Sequence, residues 1–337
     1  MQKRNNNMII ELTNTEAANK VMEQANEKKL QHVFQHNDRI GFVDQKALGD
    51  VPFEIKDVKE VITDHPAAIQ ASRLFHPENT VIKTEHSTIG DGSFSLIAGP
   101  DSIESEEHIQ LMGKDVQESG ATLLRGGSFK PRTNPYSFQG LGEEGLKWHR
   151  EAADKLGMDM VTEIMDTRDL EMIDKYTDMF QIGTRNMQNF ALLKAVGKTN
   201  KPVVLKRGMS ATIDDLLNAS EYIAAGGNHQ IILMERGIRT FDNKYTRNTF
   251  DVSAIPVLKD LTHYPVIGDP SHAAGVTKFV EPIGLAAAAA GADGLMVEIH
   301  NHPKEAFVDG KQALTPAQFD HLAKVATDIH NLVKEEQ

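Results

Sequence analysis

Residues 94–101 read FSLIAGPD, an apolar run that stops on a carboxylate. Seven later stretches repeat the form: TLLRGG at 122–127, DMVTEI at 159–164, MFQIGTR at 179–185, PVVLKR at 202–207, QIILMERG at 230–237, PVIGDPSH at 265–272 and GLMVEIH at 294–300. Short continuous apolar runs are the mark of strands covered on both faces, and between them the chain writes helical periodicity. Eight such alternations predict an α/β protein built as a (β/α)8 TIM barrel. In that fold the residues just past each strand converge on one face, where barrel enzymes keep their chemistry. Here those positions hold Asp101, Arg125, Glu163, Arg185, Lys206 with Arg207, Glu235 with Arg236, Asp269 with His272, and Glu298.

The chain has 337 residues, more than one barrel needs, and its first part has a different grammar. A strand at 8–12, a helix at 15–29 and a hairpin around Asn37-Asp38 are followed by a short helix near 46–48 and a strand at 58–62. Together they predict a small ferredoxin-like (βαββαβ) or ACT-like domain. Residues 1–75, with a linker, therefore form the first domain and residues 76–337 the barrel. A hairpin at 80–89 is expected to close the barrel bottom.

A net charge of −12 argues against nonspecific nucleic-acid binding, which needs an extended basic surface. The strand-end cations must instead act locally on a small anion. No stretch has the length of a membrane span, and the start MQKRNNNMII lacks a signal-peptide core, so a cytoplasmic protein is expected. With no cysteine, disulfides, thiol nucleophiles and thiolate metal sites are excluded.

Closing the barrel sets strand eight beside strand one. Asp101, His272, Glu298 and Asp309 then share one arc, a donor set suited to a divalent cation such as Mn²⁺, with Mg²⁺ or Fe²⁺ as alternatives. The competing role for Asp101 is to cap the following helix. The other arc is cationic: Arg125, Lys130, Arg132, Arg185, Lys206, Arg207 and Arg236. So many like charges call for an anion among them, and guanidinium forks fit phosphate, although any single member could be paired with Glu163 or Glu235. Lys206 also admits a Schiff-base role, as in class I aldolases.

The run Lys130-Pro131-Arg132-Thr133 followed by PYSFQG at 135–140 resembles 3-deoxy-D-arabino-heptulosonate 7-phosphate (DAHP) synthases of the type I beta class. The likeness continues through LRGG at 124–127, IGTRN at 182–186, LKRG at 205–208, ERGIRTF at 235–241, DPSH at 269–272, Val297-Glu298 and DGKQ at 309–312. A sibling family, the 3-deoxy-D-manno-octulosonate 8-phosphate synthases, has a KANRS-like segment in place of KPRT.

The resemblance implies condensation of phosphoenolpyruvate (PEP) with erythrose 4-phosphate, the first step of the shikimate pathway. It implies that Arg125, Lys130, Thr184, Arg185, Lys206 and Arg236 hold PEP, and that Lys130, Pro131, Arg132 and Thr133 hold erythrose 4-phosphate. Lys130, Glu163 and His272 take the catalytic roles, and Asp101, His272, Glu298 and Asp309 the metal. It further implies a homotetramer inhibited by tyrosine or phenylalanine, while a chorismate mutase partner belongs to the alternative of a weakened regulatory barrel. One position departs: the family pattern GPCS, with a cysteine metal ligand, is Gly99-Pro100-Asp101-Ser102 here. Oxygen for sulfur shifts the preference away from Zn²⁺ and Cd²⁺. Two alternatives compete, a catalytically weakened regulatory barrel and a Schiff-base sugar-phosphate aldolase using Lys206.

Overall fold

The structure, a computed structural model, describes residues 7–43, 55–63, 67–132 and 134–335. It divides into two compact units, Met1–Asn79 with Asp260–His263, and Thr80–Lys259 with Tyr264–Gln337.

In the first unit, β1 (Met8–Leu12), β2 (Val33–His36), β3 (Arg39–Phe42) and β4 (Val58–Ile62) form an antiparallel sheet in the order β2-β3-β1-β4. The β2–β3 turn falls on Asn37-Asp38, with Asn37 in the left-handed region at φ 51°, a conformation asparagine tolerates well. Helix α1 (Thr15–Glu27) is capped by Asn14, whose side chain accepts from the Ala17 amide. Its Ala17, Ala18 and Val21 bury against Ile10, Leu12, Ile40 and Phe42. The helix expected near 46–48 and the linker residues His65 and Pro66 lie outside the described residues.

The second unit contains a closed barrel of eight parallel strands. They are β7 (Ser95–Gly99), β8 (Leu123–Arg125), β9 (Asp159–Glu163), β10 (Met179–Ile182), β11 (Val203–Lys206), β12 (Ile231–Glu235), β13 (Val266–Gly268) and β14 (Gly294–Glu298). All eight apolar runs are strands. Pairing of β14 with β7, Gly294 beside Ser95 through Glu298 beside Gly99, closes the ring and brings the first and last runs together.

Side chains from alternating strand positions fill the interior: Ile97, Leu123, Val161, Met179, Val204, Ile232, Met234, Ile267 and Met296. The same core contains Ile82 and Ile89 of the hairpin β5 (Ile82–Lys83) and β6 (Thr88–Ile89). Thr84 Oγ1 donates to Asp159, the first residue of β9, so the hairpin plugs the N-terminal end and leaves the other end open.

Two buried histidines bond backbone oxygens: His149 Nε2 with Leu124 O (3.0 Å), and His263 Nε2 with Gln70 O (2.8 Å). Burial lowers each pKa to about 3, whereas an unfolded-chain histidine titrates near 6.5. Between those values the unfolded chain takes up protons that the native protein refuses, so stability falls as pH drops below about 6.5. The slope should approach roughly 1.4 kcal/mol per pH unit per histidine. Urea unfolding at pH 7, 6 and 5 should show a shallower slope for His149→Asn. Parallel slopes for wild type and variant would remove this explanation.

Candidate active site

At the open end the strand termini are tied into one chain of basic and acidic side chains. Lys206 Nζ meets Asp269 Oδ2 at 2.8 Å, and that oxygen meets His272 Nδ1 at 2.8 Å. His272 Nε2 lies 3.1 Å from Glu298 Oε1, which accepts from Arg125 Nη1 at 3.1 Å. Arg125 Nη2 then reaches Asp101 Oδ1 at 3.0 Å, and Asp101 Oδ2 meets Lys130 Nζ at 2.7 Å. Local structure aims these groups. Asp269 caps α8 (Pro270–Ala274) by accepting from the His272 amide, and Pro270 starts that helix with its φ already set. Helix α2 (Glu106–Glu118) is capped by Ser105, so Asp101 is not its cap and is free to face Arg125 and Lys130.

These groups border a cavity of about 560 Å³. Asp101, Arg125, Lys130, Pro131, Arg132, Glu163, Thr184, Arg185, Lys206, Arg236, His272 and Asp309 all line it. Glu298 lies beneath, fully buried. Thr133 lies outside the described residues. Gln181, Arg239, Arg247 and Asn248 also line the cavity and were not read from the sequence. Arg207, although counted in the cationic arc, bonds Glu235 at 2.9 Å and Asp251 at 2.8 Å and is absent from the lining. Successive residues leave a strand on opposite faces, so Lys206 looks into the cavity and Arg207 away.

Arg236 is the exception among these buried cations. Its Nε and Nη1 are buried without any hydrogen-bond partner, as is the neighbouring Thr184 Oγ1. Buried donors are almost always satisfied, and a guanidinium is among the costliest to leave bare. A site that holds one open, beside Lys206 and Arg125, is built to receive an anion.

Glu163 is half-buried at the cavity wall, and the desolvation there raises its pKa although Lys130 and Lys206 pull the other way. Its neighbour across β10 is Gly183, where an added Cβ would collide with the Glu163 carboxylate. Gly183→Ala should push that carboxylate aside and lower kcat about 10- to 100-fold, with modest loss of stability. Steady-state kinetics with thermal unfolding tests this; unchanged kcat would show that Glu163 has no positional role.

Asp101, His272 and Glu298 each offer a donor atom within 4.8 Å of the other two. Burial, and then the charge of Asp101, push Glu298 up to about 8. Burial also brings His272 down to about 4, into the neutral form that ligates metals. Crowded carboxylates beside a neutral imidazole fit a divalent cation, which would relieve the repulsion. Asp309 stands apart from these three. Its carboxylate is held by both ends of the Arg247 fork, at 3.0 and 3.1 Å.

The sequence pattern of the DAHP synthetase I family matches residues 78–335. The chain belongs to this family. A curated relative, phospho-2-dehydro-3-deoxyheptonate aldolase of Thermotoga maritima, is 51% identical over 253 residues, 75% of each chain. A 2-dehydro-3-deoxyphosphooctonate aldolase of Koribacter versatilis is 32% identical over 69% of this chain and 89% of its own length. The crystal structure of the DAHP synthase from Thermotoga maritima superposes with a TM-score of 0.78 at 42% identity, covering 97% of this chain and 98% of that one. A truncated form of the Thermotoga enzyme gives 0.73 at 46% identity, over 78% and 96%. Family members thus share the barrel, and the KPRT segment sets this chain with the heptulosonate branch. Lys206 is locked to Asp269, which does not favour a Schiff-base nucleophile, and the intact strand-end set does not favour a decayed barrel.

Proposed function

We propose that the barrel mouth condenses PEP with erythrose 4-phosphate and water to give DAHP and inorganic phosphate. The observation that carries this reading is the unpartnered Arg236 guanidinium among Arg125, Lys130 and Lys206. PEP, with its phosphate and carboxylate, supplies the anionic charge that such a cluster lacks. Arg185 joins the cations that hold PEP, and Arg132, at the exposed edge of the cavity, takes the phosphate of the aldose together with Thr133.

The C2–C3 electron pair of PEP attacks the aldehyde carbon, and Lys130 donates the proton taken up by the aldehyde oxygen. Positive character at C2 is met by water, whose proton passes to Glu163, a carboxyl that burial has already moved toward neutrality. Phosphate then leaves with the C2–O electron pair as the ketone forms. The proton on Glu163 returns to Lys130, replacing the one given to the new hydroxyl, and the second proton of the water leaves on the phosphate as the ketone forms. Arg125, Lys206 and Arg236 stabilise the charge on phosphate and carboxylate throughout. His272, held by Asp269 and Glu298, orients the carboxylate arc. A divalent cation, Mn²⁺ by the oxygen-rich donor set, would be held by Asp101, His272 and Glu298 with Asp309 nearby, and would supply Lewis-acid polarisation.

The small first unit is proposed to bind tyrosine or phenylalanine and to inhibit the barrel within a homotetramer. The separate packing of Met1–Asn79 supports this. Among the described residues no helix is long and apolar enough to cross a membrane.

Loss of PEP absorbance on adding erythrose 4-phosphate, with Mn²⁺ present, tests the reaction. Arg132→Ala should raise the KM for erythrose 4-phosphate at least tenfold with less effect on the KM for PEP. PEP left untouched by the wild-type protein would end the proposal.

A further inference from the structure

A second cluster of metal-ligating side chains lies in the first unit, outside the barrel chemistry. His36 ends β2, and His76 and Glu78 come from the segment that closes the unit. His36 Nε2 is 3.0 Å from Glu78 Oε2, and His76 Nε2 is 3.8 Å from the same oxygen. One donor atom from each residue lies within 4.8 Å of the others. We propose that His36, His76 and Glu78 form a binding site for a divalent transition ion of the zinc class, completed by water.

Three features support the assignment. A tetrahedral ion with bonds of about 2.0–2.1 Å sets its donors about 3.3 Å apart. The two distances to Glu78 straddle that value and all three donors lie within 4.8 Å of one another, so modest side-chain shifts would admit a cation. Two imidazoles and one carboxylate are also the donor mixture that zinc-class ions prefer, unlike the oxygen-rich set in the barrel.

The third feature is ring packing. The His36 and His76 rings pack at a tilt with centroids 3.7 Å apart, and His76 packs at a tilt on His263 at 4.0 Å. This packing holds the two imidazoles side by side with both Nε2 atoms toward the same Glu78 oxygen. His36 and His76 are each about one quarter exposed and Glu78 is mostly exposed, so an ion can reach them.

The other histidine-rich group, Glu104, His108 and His300, fails a test of this kind. His300 Nδ1 accepts the His302 amide at 2.9 Å, which places the ring proton on Nε2, where it donates to Glu104 at 3.3 Å. That nitrogen has no lone pair to offer.

An ion at the first cluster would join positions 42 residues apart in the chain. Clips that close long loops restrict the unfolded chain and so stabilise the folded one. The role is therefore that of a clamp between the β2–β3 hairpin and the last residues of the unit.

The test uses the full chain, stripped of metal and then titrated with Zn²⁺, with bound zinc measured after gel filtration. Wild type should retain one more zinc per chain than either Glu78→Gln or His36→Ala. Zinc should also raise its unfolding temperature by several degrees, an increment that both variants lose. Any ion held by Asp101, His272 and Glu298 remains in all three proteins, so the two sites are counted separately. Glu78 is 62% exposed, so its replacement leaves folding intact even if His36→Ala does not. Equal zinc content in wild type and Glu78→Gln overturns the proposal, whatever the barrel does with its substrates.

Discussion

Arg125→Met is expected to lower kcat/KM by about 1,000-fold or more and to cost about 3 kcal/mol of stability. The guanidinium is the only described group that bonds both Glu298, which is out of water, and Asp101, which is nearly so. Glu298 already sits near 8 with Arg125 in place. Losing that cation pushes it further up, so the buried carboxyl stays neutral at pH 7, which softens the stability loss. The positive charge that Arg125 offers an anion in the cavity has no such substitute. Function therefore suffers more than folding. Arg125→Lys separates the two effects. An ammonium restores one charge but cannot span two carboxylates as a fork does, so much of the stability should return with little of the activity. A kcat/KM within tenfold of wild type for Arg125→Met would mean that the substrate anion sits elsewhere.

The barrel was legible because parallel strands buried on both faces must be continuous apolar runs, and each run here ends on a charge. The same logic located most of the site, since whatever follows such a strand faces the open end. What the runs could not convey was direction. Lys206 and Arg207 look alike in sequence, and only the twofold alternation of a strand separates the cavity-facing lysine from the arginine bound to Glu235 and Asp251. Arg239, Arg247 and Asn248 were missed because they belong to the long segment between β12 and α7 (Ala254–Leu261), which has no periodicity to read. The Arg247 pairing with Asp309 spans 62 positions and two irregular loops, and no local pattern announces it. The cap was readable in hindsight. Ser105 precedes two glutamates at the head of α2, a stronger start signal than Asp101 four residues earlier.

Removing metal should abolish turnover, and Mn²⁺ should restore it better than Zn²⁺, because two of the three gathered donors are carboxylates. Asp101 makes this prediction specific to the chain. Both of its oxygens are occupied, one by Arg125 and one by Lys130, and those two cations hold its pKa far below the usual carboxylate range despite burial. The carboxylate therefore competes with substrate anions for the same two cations. Asp101→Ala should act in opposite directions on two measurements. Mn²⁺ affinity, read by calorimetry, should fall by at least about 100-fold, since loss of a direct donor exceeds the 10- to 100-fold typical of an outer-shell partner. PEP affinity of the metal-free protein should rise, because Arg125 and Lys130 lose an internal anion. Loss of a helix cap would do neither, and would cost only about 1 kcal/mol of stability. If the wild-type enzyme turns over at full rate in EDTA and binds no Mn²⁺, the Asp101, His272 and Glu298 cluster is a charge network alone, and Asp101 serves only to balance Arg125 and Lys130.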